Sequence, residues 1–539
     1  MIFTLAGASV LSIKPLPRAS APAVMCSPWT AADAAAAASL GISPLDGANR
    51  ELLDNVYPKD WQDPEPPEVY DLVAIGAGAG GLVSSKQSAR RGARSALVSE
   101  HLAGGDCLNV GCVPSKALLR CAKAAREARR AHEFGVVFGT RDGGHVQVDF
   151  PKVMARMRAL RAKIAPADAH TATVAAGADV YQGRARFVGA HEIEVNGRRL
   201  RFKKAVIATG GRASIPTHIK GLDSVPYLTN NNLFNLEALP ERLTVLGAGA
   251  VGLEMAQAFA TFGSKVTVVC RSNRVCGRND PDAAAAIKAA LERDGVTFRM
   301  GWSTREAAKR DDGTIVLRGD PGGEGGTATE LDELECDALL VATGRVPNVG
   351  DLGLEAAGVE YDTAAGVKID ELLRTTNPDV FAVGDCAAGV PRFTHVAGEM
   401  AKMAVENAVF GGEWSLKSLV VPSSVYTEPE LASVGVTEPD AAEVDTYGCD
   451  LSGMDRPILD GDDDDGGFVR VHCAKGSDTI VGATIVAPRA CEMINEITLA
   501  MHAGVGLGVV ARVVHPYPTA GEGVMQAGLG YIRANWKRL

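Results

Sequence analysis

No apolar run in the chain approaches the ~18 to 20 residues a bilayer-spanning helix requires, which excludes an integral membrane protein of that kind. A basic excess is missing as well. Lys and Arg total 55 against 65 Asp and Glu, a formal net charge of −10, where a general nucleic-acid binder would show a basic surface. The eleven cysteines are odd in number and scattered, unlike the dense, even spacing of a secreted disulfide scaffold. Only Cys107 and Cys112 form a close pair, and the others read as small buried hydrophobes. Nor is this a disordered chain, since 46% hydrophobic with 22% charged residues fits a globular protein.

Acidic side chains are absent before Asp33. An apolar stretch over residues 2–13 leads through Lys14, Pro15, Pro17 and Arg18 into Ser/Ala-rich sequence, and 31–38 is nearly all alanine. This pattern predicts an organelle address, with the plastid favoured over the mitochondrion because no Arg-rich amphipathic segment is present; the mitochondrion, or the cytoplasm for an extension without an address, is the alternative. The Pro-rich run Asp63-Pro64-Glu65-Pro66-Pro67 reads as a linker into the first folded domain.

What is plentiful is glycine, 60 of 539 residues, against a usual ~7%. Such an excess means either flexible sequence or repeated close approach of backbone. Its placement favours the second. A β-run, Tyr70-Asp71-Leu72-Val73-Ala74-Ile75, enters a loop in which Gly76, Gly78 and Gly81 complete G-x-G-x-x-G, and a helical stretch over 82–91 follows. The first glycine makes the tight turn and the second lets backbone reach a pyrophosphate. The third permits close helix–strand packing, and the helix N-terminus favours the phosphate charge. The device recurs with Gly247, Gly249 and Gly252 after the strand 243–246, followed by a helix over 253–262 and a strand over 265–269. Two such units about 170 residues apart predict two dinucleotide sites in electron contact.

The strand after each helix should end at a residue that meets the adenosine ribose. In the second unit that place is Cys270, with Arg271, Arg274 and Arg278 close behind. A missing carboxylate and nearby arginines favour NADP(H) over NAD(H). In the first unit the place falls on Ser99 or on Glu100, and alternation of strand faces leaves both open.

Between the units runs Gly104-Gly105-Asp106-Cys107-Leu108-Asn109-Val110-Gly111-Cys112-Val113-Pro114-Ser115-Lys116. Five residues of regular helix would separate the cysteines by ~7.5 Å of rise alone, and a disulfide wants Cα atoms closer than ~7 Å. The backbone must therefore bend, and Gly111 is placed to allow it. Taken whole, the string resembles the redox signature of the class I pyridine nucleotide-disulfide oxidoreductases, the flavoprotein family of glutathione reductase, dihydrolipoamide dehydrogenase and mercuric reductase. Further resemblances follow in order: Ala208-Thr209-Gly210, Ala342-Thr343-Gly344-Arg345, Thr375-Thr376-Asn377-Pro378, Phe381-Ala382-Val383-Gly384-Asp385 and Tyr426-Thr427-Glu428-Pro429-Glu430.

The resemblance implies an α/β protein with two Rossmann-like FAD/NAD(P)-binding domains and a C-terminal α+β dimerisation domain. Its divisions would be an extension and linker over 1–65, a flavin domain over 66–220 and 345–418, a nucleotide domain over 221–344, and an interface domain over 419–539. FAD would be bound by Gly76, Gly78, Gly81, Glu100, Gly105, Lys116, Thr209, Gly210 and Asp385. NADP(H) would be bound by Gly247, Gly249, Gly252, Glu254, Arg271, Arg278 and Gly344. Cys112 would be the flavin-facing thiolate, Cys107 the interchange thiol, and Lys116 would pair with Glu254. A homodimer is implied, with one subunit's Tyr517 and Glu522 completing the other's site. Neither nucleic acid nor membrane is an expected partner.

The sequence departs from the family at His515-Pro516-Tyr517-Pro518-Thr519-Ala520-Gly521-Glu522. Disulfide reductases carry a catalytic His where Tyr517 stands, with a Glu at the place of Glu522. Tyrosine, with a pKa near 10, is a poor proton shuttle at neutral pH, and His515 is an alternative. A tyrosine here resembles mercuric reductases, as does the run from Asn55-Val56-Tyr57-Pro58 to Pro66. No Cys pair closes the chain and no Cys-x-x-Cys carrier domain precedes the flavin domain. The expected activity is electron relay from NADPH through FAD and the cysteine pair to a disulfide, a soft metal ion or a quinone-like acceptor. NAD-linked dihydrolipoamide dehydrogenase is the alternative, and a non-catalytic flavin-binding subunit a remote one. The acidic run from Asp462 to Asp465 reads as an exposed loop, as does the run over 322–326, and no resident metal site is expected.

Overall fold

A computed structural model describes residues 26–137, 146–322, 331–462 and 466–536. The address segment over 2–25, most of the run 322–326 and residues 463–465 of the acidic run lie outside the described residues.

The first glycine loop sits where a buried strand meets a helix. Tyr70–Ile75 is apolar at nearly every position, as a parallel strand covered on both faces must be. It pairs in parallel with Ser95–Ser99 on one side and Arg198–Ile207 on the other. Ala178–Gln182 extends the sheet past Ser95–Ser99, and Val380–Ala382 joins Arg198–Ile207. The late strand shows that the chain returns to this layer after completing the second unit.

That second unit is a four-stranded parallel sheet in the order Thr297–Met300, Lys265–Cys270, Arg242–Leu246, Ala338–Val341. Its helix Ala250–Phe262 is apolar on nearly every face and almost wholly buried. It packs beside the long helix Cys112–Arg130, so the redox signature and the second glycine loop share a core that includes Ala117, Leu118, Leu253 and Phe259. A five-stranded antiparallel sheet begins at Pro422–Val425 and carries the helices Ala490–Ala503 and Glu522–Ala534.

The expected extension over 1–65 is corrected by this structure. Residues from Trp29 onward are folded against the flavin domain, and Trp29, Ala37, Ile42, Leu52, Leu53 and Val56 belong to its buried core. Gly47–Val56 is a helix capped by Asp46, whose side chain accepts from Asn49 N–H, and Trp29 Nε1 donates to the Tyr57 carbonyl at 3.0 Å. Long-range burial outweighs the alanine- and proline-rich local composition here.

Candidate functional site

At the first loop the fit of backbone to backbone decides the residue type. A Cβ on Gly81 would stand 1.7 Å from the Gly76 carbonyl oxygen, and one on Gly105 would stand 2.8 Å from the Gly78 Cα. The start of the helix Ala79–Arg90 is therefore pressed against the strand end and against the approach to the cysteines. At the second loop a Cβ on Gly252 would meet the Gly247 oxygen at 2.3 Å, while Gly249 has nothing within 4 Å. The residues present fit a dinucleotide at each place: a helix N-terminus, bare backbone and room for a pyrophosphate. Thr209 and Gly210 close the first strand layer by hydrogen bonds to Asn348. Gly344, at φ +131°, accepts at its carbonyl from Ser214 N–H.

Strand register separates Ser99 from Glu100. Ser99 is fully buried and its hydroxyl donates to the His101 carbonyl. Glu100 lies on the open side, paired with Arg184 at 2.7 Å. Asp385 accepts from Arg345 Nε at 2.9 Å, and the same guanidinium reaches Asp106 at 2.5 Å. One arginine thus ties the second flavin-type motif to the residue before Cys107.

The cysteines sit across a helix break. Gly105–Val110 ends at Gly111 and Cys112–Arg130 begins after it. A Cβ on Gly111 would lie 2.7 Å from the Asp106 carbonyl oxygen, so the bend requires glycine. Both cysteines are free thiols, Cys107 half-buried and Cys112 exposed. The Cys112 thiol is pulled down to about 6, chiefly by the hydrogen bond from Cys107 and then by Thr394 and the Lys116 charge, against the opposing effect of burial. Cys107 is pushed up by donating to Cys112, by burial and by the adjacent thiolate charge. The pair thus divides into a thiolate at 112 and a thiol at 107.

Lys116 Nζ lies 2.8 Å from Glu254 Oε2, on a carboxylate that is nearly fully buried. Its ammonium also stands over the Tyr426 ring, 4.1 Å from the centroid, and Glu254 Oε1 accepts from Tyr426 N–H at 3.1 Å. Thr394 Oγ1, 3.4 Å from Cys112 Sγ, was not legible beforehand: it is 282 residues away and belongs to no motif.

In the C-terminal string Glu522 accepts from Thr519 N–H at 3.1 Å. Tyr517 is 71% exposed and its hydroxyl donates to Asp455, which raises its pKa further. His515 has both ring nitrogens engaged, with the Val513 carbonyl at 2.9 Å and with Glu496 at 3.1 Å, and reads as structural. After Lys265–Cys270, Arg271 and Arg278 are exposed. Arg274 is instead paired with Glu438 at 2.5 Å. Among the described residues no group of three His, Cys, Asp or Glu side chains could hold a metal ion, and no helix is long and apolar enough to cross a membrane.

Residues 70–401 match the pyridine nucleotide-disulphide oxidoreductase family, and 421–527 match its dimerisation domain. The chain is 34% identical over 468 residues to a mercuric reductase of Streptomyces lividans, covering 85% of this chain and 95% of that one. It is equally 34% identical over 468 residues to a dihydrolipoyl dehydrogenase of Thermus scotoductus, covering 85% and 97%. Among solved structures it is similar to the Cu(II) complex of the HOCl-induced flavoprotein disulfide reductase RclA from Escherichia coli. That match has a TM-score of 0.75 and 25% identity over 86% of this chain and 99% of that one. With its two glycine cradles, cysteine pair and C-terminal sheet accounted for, the chain belongs to the pyridine nucleotide-disulphide oxidoreductase family of FAD-binding enzymes.

Proposed function

We propose that this protein is an NADPH-dependent oxidoreductase that passes electrons through Cys107 and Cys112 to a disulfide, a soft metal ion or a quinone-like acceptor. The observation that carries this reading is the placement of the pair: Cys107 and Cys112 stand on either side of the helix break at Gly111, with Thr394 Oγ1 3.4 Å from Cys112 Sγ and the Lys116–Glu254 ion pair on the same helix as Cys112. FAD, held by the first glycine loop, Gly105, Glu100 and Asp385, supplies two-electron exchange between nicotinamide and sulfur. Lys116 keeps positive charge beside the Cys112 thiolate, and buried Glu254 fixes that ammonium. In the reduced pair Cys107, its proton passed to solvent, attacks one sulfur of a substrate disulfide, breaking that S–S bond and releasing the first substrate thiolate as the Cys107–substrate mixed disulfide forms. Cys112 then attacks Cys107 Sγ, closing the protein disulfide and releasing the second substrate thiolate.

NADPH is favoured because Cys270 offers no carboxylate to repel a 2′-phosphate and because Arg271 and Arg278 lie exposed beyond it. A homodimer is supported by the dimerisation domain and by exposed apolar side chains near the C-terminus, Leu499, Val513, Val514 and Tyr517. In that dimer Tyr517 and Glu522 serve the opposite subunit's site. NAD-linked dihydrolipoamide oxidation is the second reading, favoured by the equal identity to the Thermus scotoductus enzyme and opposed by Tyr517 in the place of a proton-shuttling histidine. A plastid destination is proposed from the acid-poor segment before Asp33 and is tested by imaging a fluorescent fusion of residues 1–65.

The acceptor is tested by following NADPH consumption with Hg(II), lipoamide, oxidised glutathione and quinones. Cys107→Ser and Cys112→Ser are run beside the wild type. Loss of turnover in both variants with the preferred acceptor supports the relay. Undiminished turnover in both variants with every acceptor overturns it.

A further inference from the structure

We infer that the segment 46–56, ahead of the first dinucleotide strand, positions the interchange thiol through a buried Asn49–Arg161–Asn109 relay. The inference rests on the relay function proposed above and adds a structural requirement to it.

Cys107 stands in the six-residue helix Gly105–Val110. So short a helix does not hold itself together, and the carbonyls of its last turn lack partners within it. The Asn109 carbonyl, two residues past Cys107, accepts from Arg161 Nη1 at 2.5 Å. Arg161, in the helix Phe150–Ile164, is fully buried. Its second arm donates from Nη2 to Asn49 Oδ1 at 2.7 Å. Asn49 is itself fully buried and is aimed by its own turn, its N–H donating to Asp46 at 2.9 Å and its Nδ2 to the Pro44 carbonyl at 2.7 Å.

One further link joins the same segments: Ala103 N–H donates to the Val56 carbonyl at 3.0 Å. Within 103–109, Asn109 Nδ2 folds back onto the Ala103 and Gly105 carbonyls, both at 2.9 Å. Arg158 adds a second rung to Asp46 at 2.6 Å. The stretch 103–109 is thus gripped on both sides of Cys107 by residues that trace back to 46–56. This segment precedes the family match at 70–401.

The choice of residue argues for direction rather than mere filling. A buried guanidinium is costly to desolvate, and an apolar side chain of similar volume would commonly stabilise the same space at least as well. Here the cation's hydrogen-bond partners are two amide-type oxygens, and among the described residues it makes no ion pair within 4 Å. Arg161 therefore fixes an orientation, that of the helix carrying Cys107, against the start of the next helix at Cys112. Because the Cys107 hydrogen bond is the main cause of the Cys112 thiolate, slack in the relay has a direct readout.

The test is the pH profile of the long-wavelength thiolate-to-flavin absorbance band of the two-electron-reduced holoenzyme, for wild type, Asn49→Ala, Asn49→Ser and Asn49→Asp. Wild type is expected to reach half its plateau near pH 6. Asn49→Ala is expected to lower the band at pH 6 by about twofold or more, a displacement of the midpoint by at least about half a unit. Its flavin content and rate of flavin reduction by NADPH should stay within about twofold of wild type, since the relay touches sulfur position. Asn49→Asp, which keeps the acceptor for Arg161 but loses the Nδ2 donor to the Pro44 carbonyl, should lie closer to the wild-type profile than Asn49→Ala does. If Asn49→Ala fails to fold with flavin, the milder Asn49→Ser carries the test and should fall between wild type and a full loss. Profiles of Asn49→Ala or Asn49→Ser that superimpose on wild type, with only a lowered melting temperature, overturn the positioning role and leave the proposed function standing. A wild-type profile without any rise below pH 8 overturns the thiolate reading first, and this inference with it.

Discussion

Lys116 Nζ and Glu254 Oε2 are 2.8 Å apart, and the pair joins the helix that begins at Cys112 to the helix behind the second glycine loop. One ion pair therefore connects the sulfur chemistry to the nucleotide half of the protein. Glu254 is 2% exposed, so removing its partner leaves a buried carboxylate with a single backbone N–H from Tyr426.

Lys116→Met is expected to raise the pH at which Cys112 becomes a thiolate, because the Lys116 charge is one of the groups holding it low. The sign is fixed: a cation beside a thiol favours the charged form, and its loss moves the midpoint upward. The thiolate-to-flavin absorbance band of the two-electron-reduced holoenzyme should weaken several-fold at pH 6 and recover at pH 8. Denaturant unfolding should show a loss of about 1–2 kcal/mol, below that of a fully buried pair because Lys116 is partly exposed.

Gly111→Ala places a methyl group against the Asp106 carbonyl oxygen. Overpacking of this kind costs about 1–3 kcal/mol, and here it also pushes apart the two short segments that carry the cysteines. Urea unfolding should report the loss of stability. Thiol counting after mild oxidation should show slower closure of the Cys107–Cys112 disulfide.

Residue spacing alone reveals the glycine loops and the break at Gly111, because each is local in sequence; the Lys116–Glu254 partnership, 138 residues apart, is implied only by the family resemblance. Three other features depend on contacts that spacing does not encode. The alanine and proline composition of 26–65 reads as an extension, yet Trp29 and Val56 belong to the buried core of the flavin domain. Arg161 lies in a run rich in basic residues, where a solvated face is the ordinary reading, and only the fold shows it fully buried. Tyr517 finds Asp455, 62 residues back, rather than the nearby Glu522.

Tyr517→His should gain disulfide reduction, because an imidazole titrates near neutrality where the phenol does not. Its raised pKa, caused first by the hydrogen bond to Asp455, places the tyrosine still further from the working range. An increase of about tenfold in turnover with oxidised glutathione or lipoamide is expected, below the ~10²–10⁴-fold usual for general acid–base catalysis because Glu522 is engaged with Thr519. The check is steady-state kinetics of wild type and variant across pH 6 to about 8.

Arg271→Glu reverses the charge next to the end of the strand Lys265–Cys270. It should weaken KM for NADPH by about tenfold or more, with a smaller effect on NADH, since a carboxylate repels the 2′-phosphate and accepts from ribose hydroxyls. Parallel kinetics with the two coenzymes give the answer, and equal ratios in wild type and variant would remove the arginine from the specificity argument.

The most direct measurement is an anaerobic titration of the holoenzyme with NADPH, followed by absorbance in wild type and Cys112→Ser. The relay requires a long-wavelength band from the Cys112 thiolate lying against oxidised flavin, present in wild type and missing in Cys112→Ser. Flavin that stays oxidised through the titration, or a band that survives in Cys112→Ser, would contradict electron transfer through this cysteine pair.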